Sequence, residues 1–258
     1  MAVEIHSLAV VEKGAELGAD VSIGPFCVVG PHVRLGDGTR LRSHVSVTGH
    51  TTLGARCEVW PFASVGGKTQ DLKYKGGAPR LVVGDETVIR EAATLSCATA
   101  DGDETRVGSH CLVMAYCHIA HDCVVGNRVI LANNATLAGH VTVEDDAILG
   151  GMSGVHQFVR IGRMCMLGGC TKAVKDVPPF MIADGDPIKI FGINKVGLTR
   201  RGLPEEIQQT LKQAYRILYR SDLLTAQALE KMEAELPASP ELDHFVSFIR
   251  NSERGITK

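Results

Sequence analysis

The chain is 258 residues long, 45% hydrophobic, and carries a formal net charge of −2. Charge so near balance gives no footing for a nucleic-acid partner, and no apolar run approaches the ~20 residues that cross a bilayer. The N-terminus lacks a basic region followed by an apolar one, so a soluble, cytoplasmic protein with no integral membrane association is expected.

From the start, aliphatic residues recur at every sixth position: Ile5, Val11, Leu17, Ile23, Val29, Leu35, Leu41, Val47, Leu53, Val59 and Val65. Neither the 3.6-residue period of an amphipathic helix nor the two-residue period of a strand produces this. It is the signature of a hexapeptide-repeat parallel β-helix, in which three hexads close one triangular coil. Residues 18 apart then lie above one another, separated by the inter-strand spacing of ~4.8 Å. Glycine often follows the aliphatic residue (Gly18, Gly24, Gly30, Gly36, Gly54), as suits a corner where a Cβ would crowd the turn. This half reads as scaffold.

The period fails at Gly66. A polar stretch, from Gly67 to Gly77 and including Gln70-Asp71-Leu72-Lys73-Tyr74, has no place inside a coil and reads as a loop leaving the rod. Val83, Ile89 and Leu95 resume the repeat, and Asp101-Gly102-Asp103-Glu104 breaks it again as an acidic surface turn. From Val107 to Leu167 the period holds without a miss, then fades through Ala173 to Pro178-Pro179, an expected end because proline cannot donate to a ladder. Beyond Asn194 the period turns helical. Pro204 is expected in a first turn, ahead of Ile207, Leu211, Ala214, Tyr215 and Leu218 on one face. Further helices are expected over 225–236 and over 239–251, the latter capped by Ser239. The expected organisation is mainly β, a parallel β-helix over residues 1–190 followed by a small α-helical domain over 191–258.

Six of the eight cysteines (Cys27, Cys57, Cys111, Cys117, Cys123, Cys165) stand two positions before a repeat aliphatic, a slot otherwise filled by Ala, Ser, Thr or Val in most hexads. There they read as small buried hydrophobes rather than as a disulfide or zinc framework. The histidines are less easily absorbed into a scaffold. Ile119, Leu137 and Val155 are 18 apart, so His121, His140 and His156, with His118, fall on one edge of the rod in successive coils. Imidazoles gathered on one edge suggest proton transfer or metal binding, and Asp122 beside His121 could orient its ring.

The residues carry a family likeness. Ile23-Gly24-Pro25-Phe26-Cys27, Gln70-Asp71-Leu72-Lys73-Tyr74, His118-Ile119-Ala120-His121-Asp122-Cys123, Asn133-Asn134-Ala135-Thr136-Leu137-Ala138-Gly139-His140-Val141, Gly154-Val155-His156-Gln157-Phe158 and Arg200-Arg201-Gly202 together resemble the UDP-N-acetylglucosamine acyltransferases that begin lipid A synthesis, over essentially the whole chain. The resemblance implies a left-handed β-helix, assembled as a homotrimer with the site between neighbouring rods. It implies transfer of a (3R)-3-hydroxyacyl group from acyl carrier protein to the UDP-sugar, with no cofactor and no metal. By likeness, His121 is the general base, Asp122 its orienter, and Gly139 a backbone donor to the oxyanion. Gln70, Asp71 and Lys73 hold the acyl chain and sugar; His118, His140, His156 and Gln157 the sugar and its substituents; Asn194 and Arg200 the nucleotide phosphates. Gly169 matches the position that limits acyl-chain length, and as a glycine it implies a longer chain. Lys195, Arg200, Arg201, Lys212, Arg216 and Arg220 offer a basic face to the acidic carrier.

Three positions depart from the family pattern: Ser96 and Pro187 stand where histidine is usual, and Val196 where an acidic residue is common. They leave open whether the acceptor bears a hydroxyl or an amine at C3. A related N-acyltransferase that acts later is one rival, although it carries an additional N-terminal domain. A zinc hydratase of the same β-helix type is another, although its paired ligands are five residues apart and His118 and His121 are three apart. A mere scaffold would have no use for stacked histidines.

Overall fold

A computed structural model describes residues 2–258. The repeat folds into a three-sided parallel β-helix. Most strands are only two residues long, and each pairs in register with the third strand onward, as Val113 with Leu131 and Leu131 with Leu149. The three sheets hold eleven, nine and eight strands, with every crossover skipping two until the last two strands of the eleven-stranded sheet. The repeat aliphatics fill the column: Leu41, Ile89, Ile119, Leu137 and Leu167 are each 2% exposed or less, and burying one such side chain is worth roughly 1.5–3 kcal/mol. The six slot cysteines are buried free thiols; burial pushes Cys123 up to about 12.

The glycines after the aliphatic residue answer to the neighbouring coil. A Cβ on Gly24 would stand 2.6 Å from the carbonyl oxygen of Arg42, and one on Gly36 2.5 Å from the carbonyl carbon of Gly54. Left-handed backbone falls two residues later, mostly on residues that are not glycine, such as Asp122 (φ 59°), Asn134 (φ 63°) and His140 (φ 59°).

Both interruptions leave the rod from one edge. The strands Ser64–Gly67 and Thr94–Ser96 are neighbours in the nine-stranded sheet, and the next strands up are His118–Ile119 and Thr136–Leu137. Each excursion therefore rises below the corner that carries His121. They are tied to each other by the Thr69 and Thr99 hydroxyls, 3.0 Å apart, and by the Ala78 N–H donated to Asp101 Oδ1 at 2.7 Å.

The ladder runs past the two prolines. Met181–Asp184 continues the eleven-stranded sheet in parallel with Met166–Leu167, and Lys189–Ile193 closes it as an antiparallel hairpin. Neither proline is asked for a ladder N–H, because the strand begins only after them. Four helices follow: α1 (Lys195–Arg200), α2 (Glu205–Tyr219), α3 (Thr225–Glu235) and α4 (Pro240–Arg250). Pro204 is the residue before the first turn of α2 rather than within it. Leu211, Ala214, Tyr215 and Leu218 of α2 are buried, while Ile207 is half-buried. Ser239 caps α4, accepting the Leu242 N–H at 3.2 Å. The helices are stitched back to the rod by Asp176, 1% exposed, which accepts the Arg160 N–H and the Ser252 hydroxyl, and by His244 against Glu144 at 2.8 Å.

Candidate active site

The site is a corner of the rod roofed by the two excursions. His121 and Asp122 turn the corner after the strand His118–Ile119, and Gly139 and His140 turn it one coil above. Aspartate is among the few residues that accept left-handed backbone readily, and that conformation brings the Asp122 carboxylate back toward its neighbour. The His121 Nδ1 lies 2.8 Å from Asp122 Oδ2. A carboxylate only accepts, so Nδ1 carries the proton and Nε2 is left with its lone pair.

Asp122 is itself held from three sides. Its N–H donates to Thr105 Oγ1 at 2.8 Å, its Oδ1 accepts the Thr99 N–H at 3.2 Å, and His140 Nε2 stands 3.6 Å from Oδ2. Burial works to raise the carboxyl pKa, but the hydrogen bonds from His121 and Thr99, with the charge of His140, together outweigh it and hold the group below the ordinary carboxylate value. His118, on the strand, shares a hydrogen with Thr94 Oγ1 at 2.7 Å, and burial first, then the charge of His121, lowers its pKa.

His140 is clamped as a ring, stacked on Phe158 at 4.6 Å and meeting His121 edge-on at 5.2 Å. Gly139 packs directly on His121, where a Cβ would stand 2.4 Å from Cε1. At this corner position the ladder makes no use of the N–H, which is why Pro25, Pro31 and Pro61 are tolerated at the equivalent place. Gly139 is buried, and among the described residues its N–H has no acceptor. Buried backbone donors are rarely left so.

The loop residues complete an open cleft on either side of His140. One part, about 780 Å3, is lined by Asp71, Lys73, Thr99, Asp122 and His140. The other, about 510 Å3, is lined by Gln70, Leu72, His121, Gln157 and Phe158. Asp71 Oδ2 reaches to 3.9 Å from His121 Nε2. His156 is exposed and its Nδ1–H donates to the Gln157 carbonyl at 3.1 Å.

The remaining expected residues lie elsewhere on the single chain. The Asn194 amide is spent within the fold, where Oδ1 accepts the Gly197 N–H and Nδ2 donates to the Met164 carbonyl. Arg200 is exposed at the end of α1. Gly169 is exposed on a different edge, following the strand Met166–Leu167. Ser96 is buried in register with Gly67, while Pro187 and Val196 are exposed. Arg201 is ion-paired at 3.0 Å to Asp146, which also holds Arg128. Thr94, Thr99 and Thr105 also belong to the site and carried no signal in the sequence, since Thr105 fills a slot where threonine is ordinary, as at Thr39, Thr51, Thr87 and Thr171.

The family model for UDP N-acetylglucosamine O-acyltransferase, domain 2, matches residues 176–257, and that for bacterial transferase hexapeptide, six repeats, matches 14–49 and 104–139. Acyl-[acyl-carrier-protein]–UDP-N-acetylglucosamine O-acyltransferases of Thermodesulfovibrio yellowstonii and Myxococcus xanthus are 46% and 45% identical, each over 99% of both chains. A solved UDP-N-acetylglucosamine acyltransferase from Bacteroides fragilis superposes with a TM-score of 0.96 at 40% identity, covering 98% of this chain and 100% of that one. One from Moraxella catarrhalis gives 0.94 at 41%, covering 98% and 99%.

Proposed function

The chain belongs to the UDP-N-acetylglucosamine O-acyltransferase family, and from that premise we propose that it moves a (3R)-3-hydroxyacyl group from acyl carrier protein to the 3-hydroxyl of UDP-N-acetylglucosamine, the first step of lipid A synthesis, in the cytoplasm. The observation that carries the reading is the His121–Asp122 hydrogen bond at 2.8 Å with Gly139 packed on the same ring. His121 Nε2 takes the proton of the sugar hydroxyl as its oxygen attacks the thioester carbonyl. The Gly139 N–H donates to the oxyanion that forms, and collapse expels the carrier's thiolate, which receives the proton back from His121. Asp122 holds the ring throughout and stabilises its protonated form. Asp71, Lys73 and Gln70 on the roof, with His118, His140, His156 and Gln157, hold the sugar and the acyl chain.

The same reading includes a homotrimer. Arg200 and Gly169 are exposed away from the His121 edge, so a neighbouring copy is needed to bring nucleotide-binding and chain-limiting groups to the cleft, whereas Asn194, buried and consumed by Met164 and Gly197, serves that surface only by holding the start of α1. The edge that carries Gly169 also exposes Phe26, Phe62, Tyr116 and Met152, an apolar seam suited to a partner rod and to an acyl chain between them. Lys195, Arg200, Lys212, Arg216 and Arg220 are exposed and make no ion pair among the described residues, which suits an acidic carrier. Arg201, neutralised by Asp146, is left out of that surface.

A 3-amino sugar is the second acceptor, favoured by Ser96: buried against Gly67, it offers the cleft no imidazole at the position where the family usually has one. An amine depends less on the base than a hydroxyl does. The test is purified protein with acyl carrier proteins of several chain lengths and both acceptors, with products read by mass spectrometry and kcat/KM compared. Absence of 3-acylated product from every pair would overturn the reading.

A further inference from the structure

We propose that His121, Asp122 and His140 also form a site for one borderline divalent transition cation, Zn2+ being the type, and that its occupation switches the enzyme off. The binding half stands on geometry alone; the inhibitory half rests on His121 as the base. His121 Nδ1 and His140 Nε2 lie 2.8 and 3.6 Å from the same oxygen, Asp122 Oδ2, and all three ligand atoms fall within 4.8 Å of one another. With Zn–N and Zn–O bonds of about 2.0–2.2 Å, tetrahedral ligands stand roughly 3.3–3.5 Å apart. Of the two pairs that share Asp122 Oδ2, the closer must open by about half an ångström and the farther already fits, while the two imidazole nitrogens, within 4.8 Å of each other, must settle to the same spacing. Two imidazoles and a carboxylate, with a fourth position open to the cleft, form a donor set that zinc accepts.

The surroundings are built for holding ligands still. Thr99 and Thr105 fix Asp122 and Phe158 fixes the His140 ring. A ligating histidine ordinarily donates its other N–H to a carboxylate, and Asp71 Oδ2 waits 3.9 Å from His121 Nε2. That arrangement is the source of the inhibition. A neutral imidazole that gives its Nδ1 lone pair to a metal must carry its proton on Nε2. The proton moves across the ring, no bond of the substrate changes, and the atom that should accept from the sugar hydroxyl now donates to Asp71. The cation also engages His140, which the proposed function gives to the sugar, so zinc and UDP-N-acetylglucosamine compete.

Calorimetric titration of the metal-free full-length protein with zinc alone should give one site per chain, and Co2+ in its place should show the visible bands of four- or five-coordinate cobalt. His140→Gln should weaken binding by more than the ~10–100-fold that losing an outer-shell partner costs. Cys170→Ser, which removes the exposed thiol, and His110→Gln should bind zinc as the parent does. UDP-N-acetylglucosamine should raise the apparent Kd for zinc, and chelation should restore turnover lost to zinc. Zinc binding that survives His140→Gln, or no binding at all, would overturn the site. Binding that the sugar nucleotide does not weaken, or that leaves turnover intact, would overturn the switch. A metal-free protein with no acyltransferase activity would count against the proposed function instead, since the calorimetric arm does not depend on turnover.

Discussion

Gly139 has no room for a methyl group, because a Cβ there would stand 2.4 Å from Cε1 and 2.6 Å from Nε2 of His121. Gly139→Ala must push the ring or bend the corner, and a displacement of ~1 Å can cost ~10²-fold. We expect kcat to fall by about that much with little change in Tm, and near-parental turnover would show that the ring is not the base. His121→Ala should lose ~10²–10⁴ in turnover with the assembly intact, read by steady-state kinetics beside light scattering. The Asp122 carboxyl, held below its ordinary value, gives a pH dependence with a fixed sign. The fold favours its charged form, so its stabilising contribution is full above the ordinary carboxylate value of ~3.9 and is lost as pH falls through the lower folded value. The Tm gap between parent and Asp122→Asn should therefore be widest near neutrality and close in acid; a gap unchanged by acidification would remove the carboxylate from the account. The meeting of His121, Asp122 and His140 was legible because residues 18 apart stack. Asn194 was not, since nothing in its neighbours announces a side chain already consumed by Met164 and Gly197. The threonines behind Asp122 were hidden too, because which way a hydroxyl faces is set by the excursions above it.

At the scale of elements, the two excursions act as one roof. The Thr69–Thr99 hydroxyl pair joins them, and the Thr99 N–H joins the roof to Asp122. Thr99→Val keeps the backbone bond and removes the hydroxyl, a loss of about 1 kcal/mol. The expected result is a several-fold drop in kcat/KM, together with faster amide exchange over 67–79. Exchange unchanged in that loop would mean that the hydroxyls do not latch it. The period of six fixed the coils because every hexad repeats one burial problem. The end of the rod was harder to read, since Met181–Asp184 rejoins the ladder only after prolines that looked like a terminus, and its hairpin partner Lys189–Ile193 runs antiparallel, outside any repeat. Asp176 matters there for a similar reason: it accepts from both the rod and the C-terminal segment, and no local pattern marks it.

For the whole molecule, Phe62, Tyr116 and Met152 form an exposed apolar seam, and in the proposed trimer that seam would tie activity to assembly. Met152→Glu places a charge where the proposed partner rod packs, and should yield a folded monomer with little activity, seen by light scattering and turnover together. A fully active trimer would move the interface elsewhere. Assembly was beyond the reach of the hexapeptide period, which reports what faces inward and is silent about which outer edge meets another copy. One more consequence lies in the ladder itself. Successive coils are locked by backbone hydrogen bonds at ~4.8 Å, so no side chain on this rod can be shifted along the axis by an arbitrary amount. The rod is a graduated rule whose marks are coils. A stop such as the one proposed at Gly169 can be moved only by whole notches, or trimmed within one by the bulk of a side chain. Related chains should accordingly differ in acyl preference by steps of several methylenes where the stop changes coil, and by smaller ones only where its side chain changes in bulk.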